Sequence, residues 1–490
     1  MSQTLIPVLL AVPLAAAAVT WLARPPAVLY AVGAAAHVTI LALAITLLTG
    51  VVGGAEPHAF GRWLVLDHLG GVVLLIVATV GFTSAVYSIG YLHHELTERA
   101  VGRGELRRYF ALLHVFVFTM LLSALAGNLG LLWTAIAGTT IVSAPLVDFY
   151  GSREPLEAAW KYIVLTTAGS MVALLGYLVL YQAGVHVLGV SYDFSFSVLS
   201  AVAPRLPAAT AATAFLLVLV GFGAKAGLAP MHTWLPDAHS QAPSPVCALL
   251  SGVELNCAML GILRAFALTA PAAGAGRLRL ALLAFGVLSM LVAVVFLVSQ
   301  RDFKRLLAYS SIEQMGLVAV GVGAGVPLAV SGAMLQMVNH AFSKSLMFFA
   351  TGNLLLRFRT RAIGSVAGLV HDMPATAILL IVGVLALAGA PPFSLFVSEF
   401  SIVSGAAVAH QWAPALIVAA LLAVGFLALV WPFNRMAFSA PPGSAGQGTT
   451  VNPIVLLPAY LSLVVVVGLG FWVPSPLHAL LSGAARTLAP

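Results

Sequence analysis

Long apolar runs alternate with short polar loops along almost the whole chain. Most runs have about 20 residues or more, the length that an α-helix needs to cross the hydrocarbon core of a bilayer. Counting such runs predicts about fourteen transmembrane helices. The runs lie near residues 4–23, 27–52, 70–92, 109–127, 129–149, 158–184, 209–230, 243–270, 279–300, 304–326, 328–355, 374–404, 412–434 and 453–473. The pattern predicts an all-α polytopic membrane protein.

Composition supports this prediction. The 490 residues are 61% hydrophobic and only 8% charged, whereas a soluble domain has roughly 25% charged residues. A soluble protein with so few charges would be unable to cover its surface with polar groups. A protein whose solvent is lipid has no such need, so a soluble fold is excluded.

The basic residues predict an orientation in the membrane. The net charge is +7, but Lys and Arg lie in short loops and form no single patch, so we expect no nucleic-acid partner. Fourteen of the 22 Lys and Arg residues follow odd-numbered runs, and six lie on the other side. The positive-inside rule then places the odd loops in the cytoplasm and both chain ends outside an inner membrane.

No metal or cofactor site is predicted in this chain. Cys247 and Cys257 lie in one apolar run without CxxC spacing or a nearby histidine pair, unlike zinc or iron–sulfur ligands. P-loop and dinucleotide-binding glycine motifs are also missing from the sequence. The residues themselves therefore predict no bound metal ion or nucleotide in this chain.

Several ionisable side chains lie inside the predicted spans. A charge at the bilayer centre costs about 2.5–3.5 kcal/mol on insertion scales, so such residues usually mark ion pathways or proton relays. They are Lys225, Glu254, Glu313, Lys344 and Glu399, together with the histidines His37, His114 and His340.

Position favours function for some of these residues. Lys225 and Glu399 lie deep in runs that glycine and proline interrupt, where a side chain cannot easily reach the interface. His340 and Lys344 are four residues apart and share one helix face, although Lys344 could instead brace a neighbouring helix.

Structural alternatives are stronger for the other ionisable residues. Glu254 could simply pair with a buried cation, and Glu313 could pair with Arg305. His37 and His114 are more typical of histidines packed in a core.

Two predicted spans contain helix-breaking residues. These are Gly227, Pro230 and Pro236 in the seventh span and Gly389, Pro391 and Pro392 in the twelfth. Paired breaks indicate a transport site near the middle of the membrane. Because the breaks are five spans apart, we predict two inverted five-helix repeats, spans 4–8 and 9–13. The predicted segments are 1–108 (three helices), 109–271 and 272–434 (the repeats), and 435–490 (the last helix).

Five segments resemble the antiporter-like subunits of respiratory complex I, Mrp-type cation/proton antiporters and group 4 membrane-bound hydrogenases. They are KAGLAPMHTWLPDAHSQAPSPVCALLSGVEL from Lys225, LEAAWKY from Leu156, FKRLLAYSSIEQMG from Phe303, NHAFSKSL from Asn339 and PPFSLFVSEF from Pro391. The sequence from His239 to Arg264 is most similar to component F of the hydrogenase-4 and formate hydrogenlyase type. About seventeen residues follow the last span, which favours the shorter members of this family.

The resemblance implies fourteen helices, inverted repeats and proton translocation. It implies that Lys225 is the central lysine of the seventh helix, that Glu399 is the terminal charged residue of the twelfth, and that His340 belongs to a hydrated axis between two half-channels. Lys304 would lie where the tenth helix begins. The full set of candidate proton-pathway residues is Lys225, Glu254, Lys304, Glu313, His340, Lys344, Glu399, His232 and Asp237.

The resemblance also implies partners. We expect other membrane subunits and a cytoplasmic redox arm that holds nickel–iron and iron–sulfur centres, so this chain would be one subunit of an oxidoreductase or translocase complex. The alternatives are a Na⁺/H⁺ antiporter subunit of the Mrp type and a membrane scaffold that does not pump.

One departure from the family pattern bears on the mechanism. The family usually has a glutamate on the fifth helix, where this sequence has Ala137. That glutamate modulates the charge of the lysine that aligns with Lys225. Asn256 also replaces a lysine found on the eighth helix of many relatives. We hypothesise that Glu254, which the family pattern does not include, supplies the missing carboxylate.

Overall fold

The protein is a bundle of helices. The computed structural model describes residues 2–440 and 453–488, so the predicted last segment lacks 441–452 and 489–490. The first helices are α1 (Ser2–Leu22), α2 (Pro26–Val52), α3 (His68–Thr97), α4 (Arg103–Leu125), α5 (Leu129–Val147), α6 (Arg153–Leu188), α7 (Phe196–Val202), α8 (Ala208–Ala226), α9 (Trp234–Gln241), α10 (Ser244–Leu249) and α11 (Leu255–Ala273). The later helices are α12 (Ala275–Leu297), α13 (Phe303–Ala324), α14 (Pro327–Phe358), α15 (Leu369–Asp372), α16 (Pro374–Leu387), α17 (Ser394–Val408), α18 (Trp412–Phe438), α19 (Leu456–Phe471) and α20 (Ser475–Leu488).

The described helices confirm a multi-pass membrane protein. Within this part of the chain, eleven helices are long and apolar enough to cross a membrane, with α10 and α11 counted together. A twelfth is added if α19 and α20, which meet at a bend of 77°, form one span. All fourteen predicted runs overlap a helix, but α14 contains many polar residues and α16 and α17 are short. The number fourteen therefore stays a prediction.

Two of the predicted spans are interrupted at their glycine and proline residues. Gly227 follows α8 directly with φ 78°, and Gly389 follows α16 with φ 75°. Glycine adopts this left-handed conformation without steric cost. The prolines that come next cannot donate a backbone N–H to a continuing helix. The helical path resumes only at α9 and α17.

Some elements were not predicted. Leu250–Glu254 forms a π-helical turn between α10 and α11, inside the eighth predicted span. This segment is buried on all sides, so its hydrophobic pattern gives no helical period that would distinguish a π turn. His58–Ala59 and Leu64–Val65 form a short antiparallel hairpin between α2 and α3, and α20 forms a helix too short to be recognised as a span.

The ionisable side chains lie in the helices at the centre of the bundle. The most apolar 18-residue stretches of Ser244–Ala273 and Phe303–Ala324 are buried throughout, whereas only 22% of the corresponding stretch of α18 is buried. A central helix that other helices surround keeps its polar side chains away from lipid. The candidate residues of α8, the π turn, α13 and α14 therefore lie in one interior.

A buried polar axis as the candidate functional site

Lys225 is fully buried in the last turn of α8 and forms an ion pair with Glu254. Its Nζ lies 2.7 Å from Glu254 Oε1 and also donates to Thr140 Oγ1 of α5. The same carboxylate oxygen accepts hydrogen bonds from Thr139 Oγ1 at 2.8 Å and from Tyr162 OH at 2.6 Å. Buried charges need both a partner and hydrogen bonds to offset their desolvation, and this cluster supplies both.

The geometry around Lys225 agrees with the hypothesis of a replacement carboxylate. Ala137 is half-buried on α5, three residues before the Thr140 that contacts Lys225. Among the described residues, Glu254 is the acidic residue that forms an ion pair with Lys225. Asn256 Nδ2 instead donates to Gly252 O at 2.7 Å on its own helix.

Hydroxyl groups and a histidine lie where the π turn meets α13 and α14. Ser251, in the π turn, shares a 2.8 Å hydrogen bond with Ser311 of α13. His340 Nε2 lies 3.3 Å from the Ser251 carbonyl oxygen. His340 Nδ1 has no hydrogen-bond partner in residues 2–440 and 453–488, which leaves one ring nitrogen free to exchange a proton.

Lys344 lies one turn beyond His340 on α14 and is fully buried. Its Nζ donates to the Leu307 carbonyl oxygen at 2.6 Å and to Ser310 Oγ, both on α13. Within the described parts of the chain it makes no ion pair. Its charge is thus stabilised by dipoles, in contrast to the charge of Lys225.

Glu399 of α17 lies at the end of a network of amides and a hydroxyl. Its Oε1 accepts from Gln314 Nε2 at 3.2 Å. Gln336 Nε2 donates to Gln314 Oε1, Ser398 Oγ donates to Gln336 Oε1, and Asn339 Nδ2 donates to Ser398 Oγ at 3.0 Å. All of these groups are buried or nearly so.

Glu313 is buried on α13 and faces α18. Its carboxylate lies against the backbone of Gly425, and it interacts electrostatically with Glu399 and Lys344. The electrostatic environment of Glu313 therefore includes both Lys344 of α14 and Glu399 of α17.

The pairing of Glu313 with Arg305 is wrong. Arg305 Nη1 instead forms an ion pair with Asp237 of α9, and Lys161 Nζ of α6 lies 3.1 Å from the same carboxylate. Asp237 thus joins the short helix after the break to its two neighbours near the polar surface, away from the buried axis.

Two further candidates lie at the edges of the axis. Lys304 is almost fully buried at the start of α13, donates to the Ala242 carbonyl oxygen at 2.5 Å, and contacts a cavity of about 360 Å³ that Glu95 and Arg359 also line. His232 lies in the break after α8, beside the rings of aromatic side chains.

The predicted core histidines lie apart from this axis. The rings of His37 and His114 are 5.2 Å apart between α2 and α4, and both side chains are buried. His37 Nδ1 lies 2.9 Å from the Gly33 carbonyl oxygen.

Sequence reasoning missed the neutral members of the site. Tyr162, Thr139 and Thr140 surround the first ion pair, and the amide network surrounds Glu399. The available signal was their polarity inside apolar runs, which is costly in a membrane unless the groups are hydrogen-bonded. In the described residues, no group of three or more His, Cys, Asp or Glu is arranged to hold a metal ion.

Family models match most of the chain. Residues 126–425 match the model described as NADH:quinone oxidoreductase/Mrp antiporter, TM, which covers more than half of the sequence. Residues 62–101 match the model described as NADH-Ubiquinone oxidoreductase (complex I), chain 5 N-terminus.

Individual relatives and solved structures agree with this match. The chain is 34% identical over 421 residues to a hydrogenase-4 component F homolog of Methylacidiphilum infernorum, covering 84% of this chain and 86% of that protein. It is 29% identical over 450 residues to NADH-quinone oxidoreductase subunit N of Desulforudis audaxviator, covering 88% and 87%. A chain in the structure of the Mrp complex from Dietzia sp. has the same fold, with a TM-score of 0.87 at 22% identity and coverage of 100% and 97%.

The resemblance seen in five sequence segments thus extends to the whole fold, and the similarity to hydrogenase-4 component F is confirmed. The chain belongs to the family of antiporter-like membrane subunits found in NADH:quinone oxidoreductases, Mrp antiporters and membrane-bound hydrogenases.

Proposed function

We propose that this chain translocates protons as one membrane subunit of a redox-driven complex of the hydrogenase or NADH-quinone oxidoreductase type. The observation that supports this most is the series of buried polar groups from the Lys225–Glu254 pair to Glu399. Charges this deep are costly and are characteristic of ion and proton pathways. The names of the relatives, a hydrogenase-4 component and an NADH-quinone oxidoreductase subunit, favour a redox partner.

In the proposed route, protons enter from the cytoplasmic side and reach Lys225. They cross by way of His340 and Lys344 and then reach Glu399. The ion pair with Glu254 stabilises the charged forms of both side chains, so separation of the pair provides a switch between holding and releasing a proton. In this role Glu254 replaces the carboxylate that Ala137 lacks. The segments 109–271 and 272–434 would form the two inverted repeats.

The proposal includes the orientation of the chain in the membrane and the other subunits of the complex. Odd-numbered loops would lie in the cytoplasm and both chain ends outside the inner membrane, as the distribution of Lys and Arg favours. Other membrane subunits would flank the chain. Nickel–iron and iron–sulfur centres would lie in a cytoplasmic redox arm made of other chains.

The second candidate is a Na⁺/H⁺ antiporter subunit of the Mrp type. The fold similarity to a chain of the Mrp complex favours it. A sodium ion would need several oxygen ligands, and the amide and hydroxyl oxygens beside Glu399 are the group that offers them. A non-pumping scaffold would have no use for fully buried Lys225 and Lys344.

The proposed function is tested on the intact complex. The complex is purified in mild detergent through a tag on this chain, and its other subunits are identified by mass spectrometry. It is then reconstituted in liposomes, a potassium diffusion potential is applied with valinomycin, and internal pH is followed with pyranine in sodium-containing and sodium-free buffer.

Redox subunits together with sodium-independent proton flux that Lys225→Ala abolishes are the expected result. Small membrane subunits alone, with flux that requires sodium, would establish the antiporter. Flux that Lys225→Ala leaves unchanged would favour the scaffold.

A further inference from the structure

The buried glutamates Glu313 and Glu399 share a feature that Glu254 lacks, because each of their carboxylates lies directly against a glycine. A Cβ atom added to Gly425 of α18 would overlap Glu313 Oε1 and lie 3.1 Å from Glu313 Cδ. A Cβ atom added to Gly389 would overlap Glu399 Oε2 and lie 2.8 Å from Glu399 Cδ. In both places the carboxylate occupies the space that the missing side chain leaves.

Other buried glycines of the bundle have a different role. A Cβ atom on Gly286 would lie 2.6 Å from the carbonyl oxygen of Gly316, and a Cβ atom on Gly221 would overlap the backbone of Ala173. Those glycines let two helix backbones touch, so a larger residue would force the helices apart. At Gly425 the obstacle is only the end of a flexible side chain.

Gly425 is also free of backbone constraint. Gly389 has φ 75°, a conformation that strains any residue with a Cβ atom, so its substitution would disturb the turn as well as the carboxylate. Gly425 lies inside the regular helix α18 and has no such requirement. Gly425→Ala is therefore expected to fold and to displace one carboxylate.

The position of Glu313 gives this contact a function. Glu313 interacts electrostatically with Lys344 and with Glu399, although no hydrogen bond joins it to either within the described residues. A displacement of its carboxylate of about 1 Å is enough to impair a transfer step strongly. Most of α18 faces outward, and Gly425 is one of its buried positions.

We propose that Gly425 is a positioning residue that holds the Glu313 carboxylate where it interacts electrostatically with both Lys344 and Glu399, so that Glu313 relays protons from one to the other. In this step the Lys344 ammonium gives one proton to the Glu313 carboxylate and becomes neutral. The protonated Glu313 then passes that proton to the Glu399 carboxylate. The inference rests on the proposed function of the same axis and extends it to α18.

The test compares proton flux through four variants of the intact complex in liposomes. A potassium diffusion potential drives the flux, and pyranine reports the internal pH. The variants are Gly425→Ala, Glu313→Asp, the double variant of these two, and Gly468→Ala as the matched control. Gly468 is also helical, but a Cβ atom there would have no described neighbour within 4 Å. The yield and thermal stability of each complex are measured in parallel.

Gly425→Ala is expected to lower proton flux by about tenfold or more, and Gly468→Ala is expected to leave it unchanged. Asp is one methylene shorter than Glu, so its carboxylate can avoid the new methyl group. The double variant should therefore transport as well as Glu313→Asp alone and better than Gly425→Ala. A glycine needed only for helix packing would not be rescued by a shorter acid at residue 313.

Flux in Gly425→Ala equal to that in Gly468→Ala would overturn the inference, as would a double variant no better than Gly425→Ala. If Gly425→Ala fails to assemble, recovery of assembly and flux in the double variant supports the inference, and a double variant that also fails to assemble overturns it.

Lys225→Ala separates this inference from the proposed function. If it abolishes flux while Gly425→Ala does not, only the role of Gly425 fails, whereas wild-type flux in Lys225→Ala means that the proposed function itself fails.

Discussion

Around Lys225 the protein stabilises a buried charge with an opposite charge, whereas around Lys344 and Glu399 it uses neutral dipoles. Lys225 Nζ and Glu254 Oε1 are 2.7 Å apart with both side chains fully buried. Lys344 is held by a carbonyl oxygen and a serine, and Glu399 accepts from an amide. The two regions therefore belong to one axis but respond differently to the loss of a charge.

An ion pair is stable only while both partners are present, because a single charge left behind keeps its full desolvation penalty. A group held by dipoles has no ion-pair partner to lose, and amides and hydroxyls can hydrogen-bond both its charged and its neutral form. We infer that a change in the charge of Lys225 or Glu254 also changes the distance between them. Lys344 and Glu399, in contrast, can gain or lose a proton with little movement of the surrounding side chains.

Glu254→Gln is expected to have the largest effect. It leaves Lys225 without its counter-charge, which for a buried pair costs about 3–5 kcal/mol. The complex should have a lower midpoint of thermal unfolding in detergent, and proton flux should fall nearly as far as in Lys225→Ala.

The control for this prediction replaces both partners. Lys225→Met combined with Glu254→Leu removes both charges and should recover most of the lost thermal stability without recovering flux. Unchanged flux in Glu254→Gln would contradict the assignment of Glu254 as the replacement carboxylate.

Glu399→Gln is expected to affect transport but not stability. A glutamine amide fits the same space and can still hydrogen-bond Gln314, so the free energy of unfolding should change by less than about 1.5 kcal/mol. Flux should nevertheless be lost, because an amide cannot take up and release the proton, while Glu399→Asp should keep part of it. A large loss of thermal stability would mean that Glu399 has an undetected ionic partner.

Ala137→Glu is expected to compensate partly for the loss of Glu254. It returns a carboxylate to the helix face that contains Thr140, three residues away and beside Lys225. Because Ala137 is half-buried, the new pair should restore about 1 kcal/mol of stability to Glu254→Gln and part of its flux. Thermal unfolding and flux of the double variant, with Ala137→Gln as the control, decide the outcome.

Asp67→Asn, outside the membrane spans, is expected to have the smallest effect. Burial alone would raise the pKa of Asp67, but the Arg264 guanidinium and the Gly70 N–H together hold it below its ordinary value of 3.8. A lowered pKa contributes stability above the ordinary value that is lost as the pH falls through the folded value.

The variant should therefore be less stable than the wild type at neutral pH, by about 1 kcal/mol or less because the pair is partly exposed. The difference should disappear in acid, where Asp67 is protonated. A difference in unfolding midpoint that grows as the pH falls would show that the carboxylate is not stabilised in its charged form.

The sequence predicts much of this fold because lipid imposes strong rules. Two local signals in the sequence agree with the structure. The apolar runs of spanning length coincide with helices, and the glycine and proline breaks follow the ends of helices at residues 226 and 387. The π turn at Leu250–Glu254 and the hairpin after α2 depend on packing against other helices, which no local pattern records.

Lys225 and Glu399 could be identified as candidates because a deep charge is rare in a span. Their partners are harder to predict, because the contacts join residues far apart in the chain. Gln314 donates to a carboxylate 85 residues away, and Thr139 to one 115 residues away. Pairing with Arg305, on the same helix, is the alternative that the sequence suggests for Glu313, but the Arg305 side chain instead pairs with Asp237 of α9.

The central claim is that these two regions form one proton path in series. The most direct test measures proton flux driven by a potassium diffusion potential in liposomes that contain equal amounts of complex with Lys225→Ala, Glu399→Gln or both changes. In a series path either single change blocks the whole route, so each should reduce flux to the level of the double variant. Two independent half-paths would instead leave a large share of the flux in each single variant, and only the double variant would lose it. That result would contradict the claim.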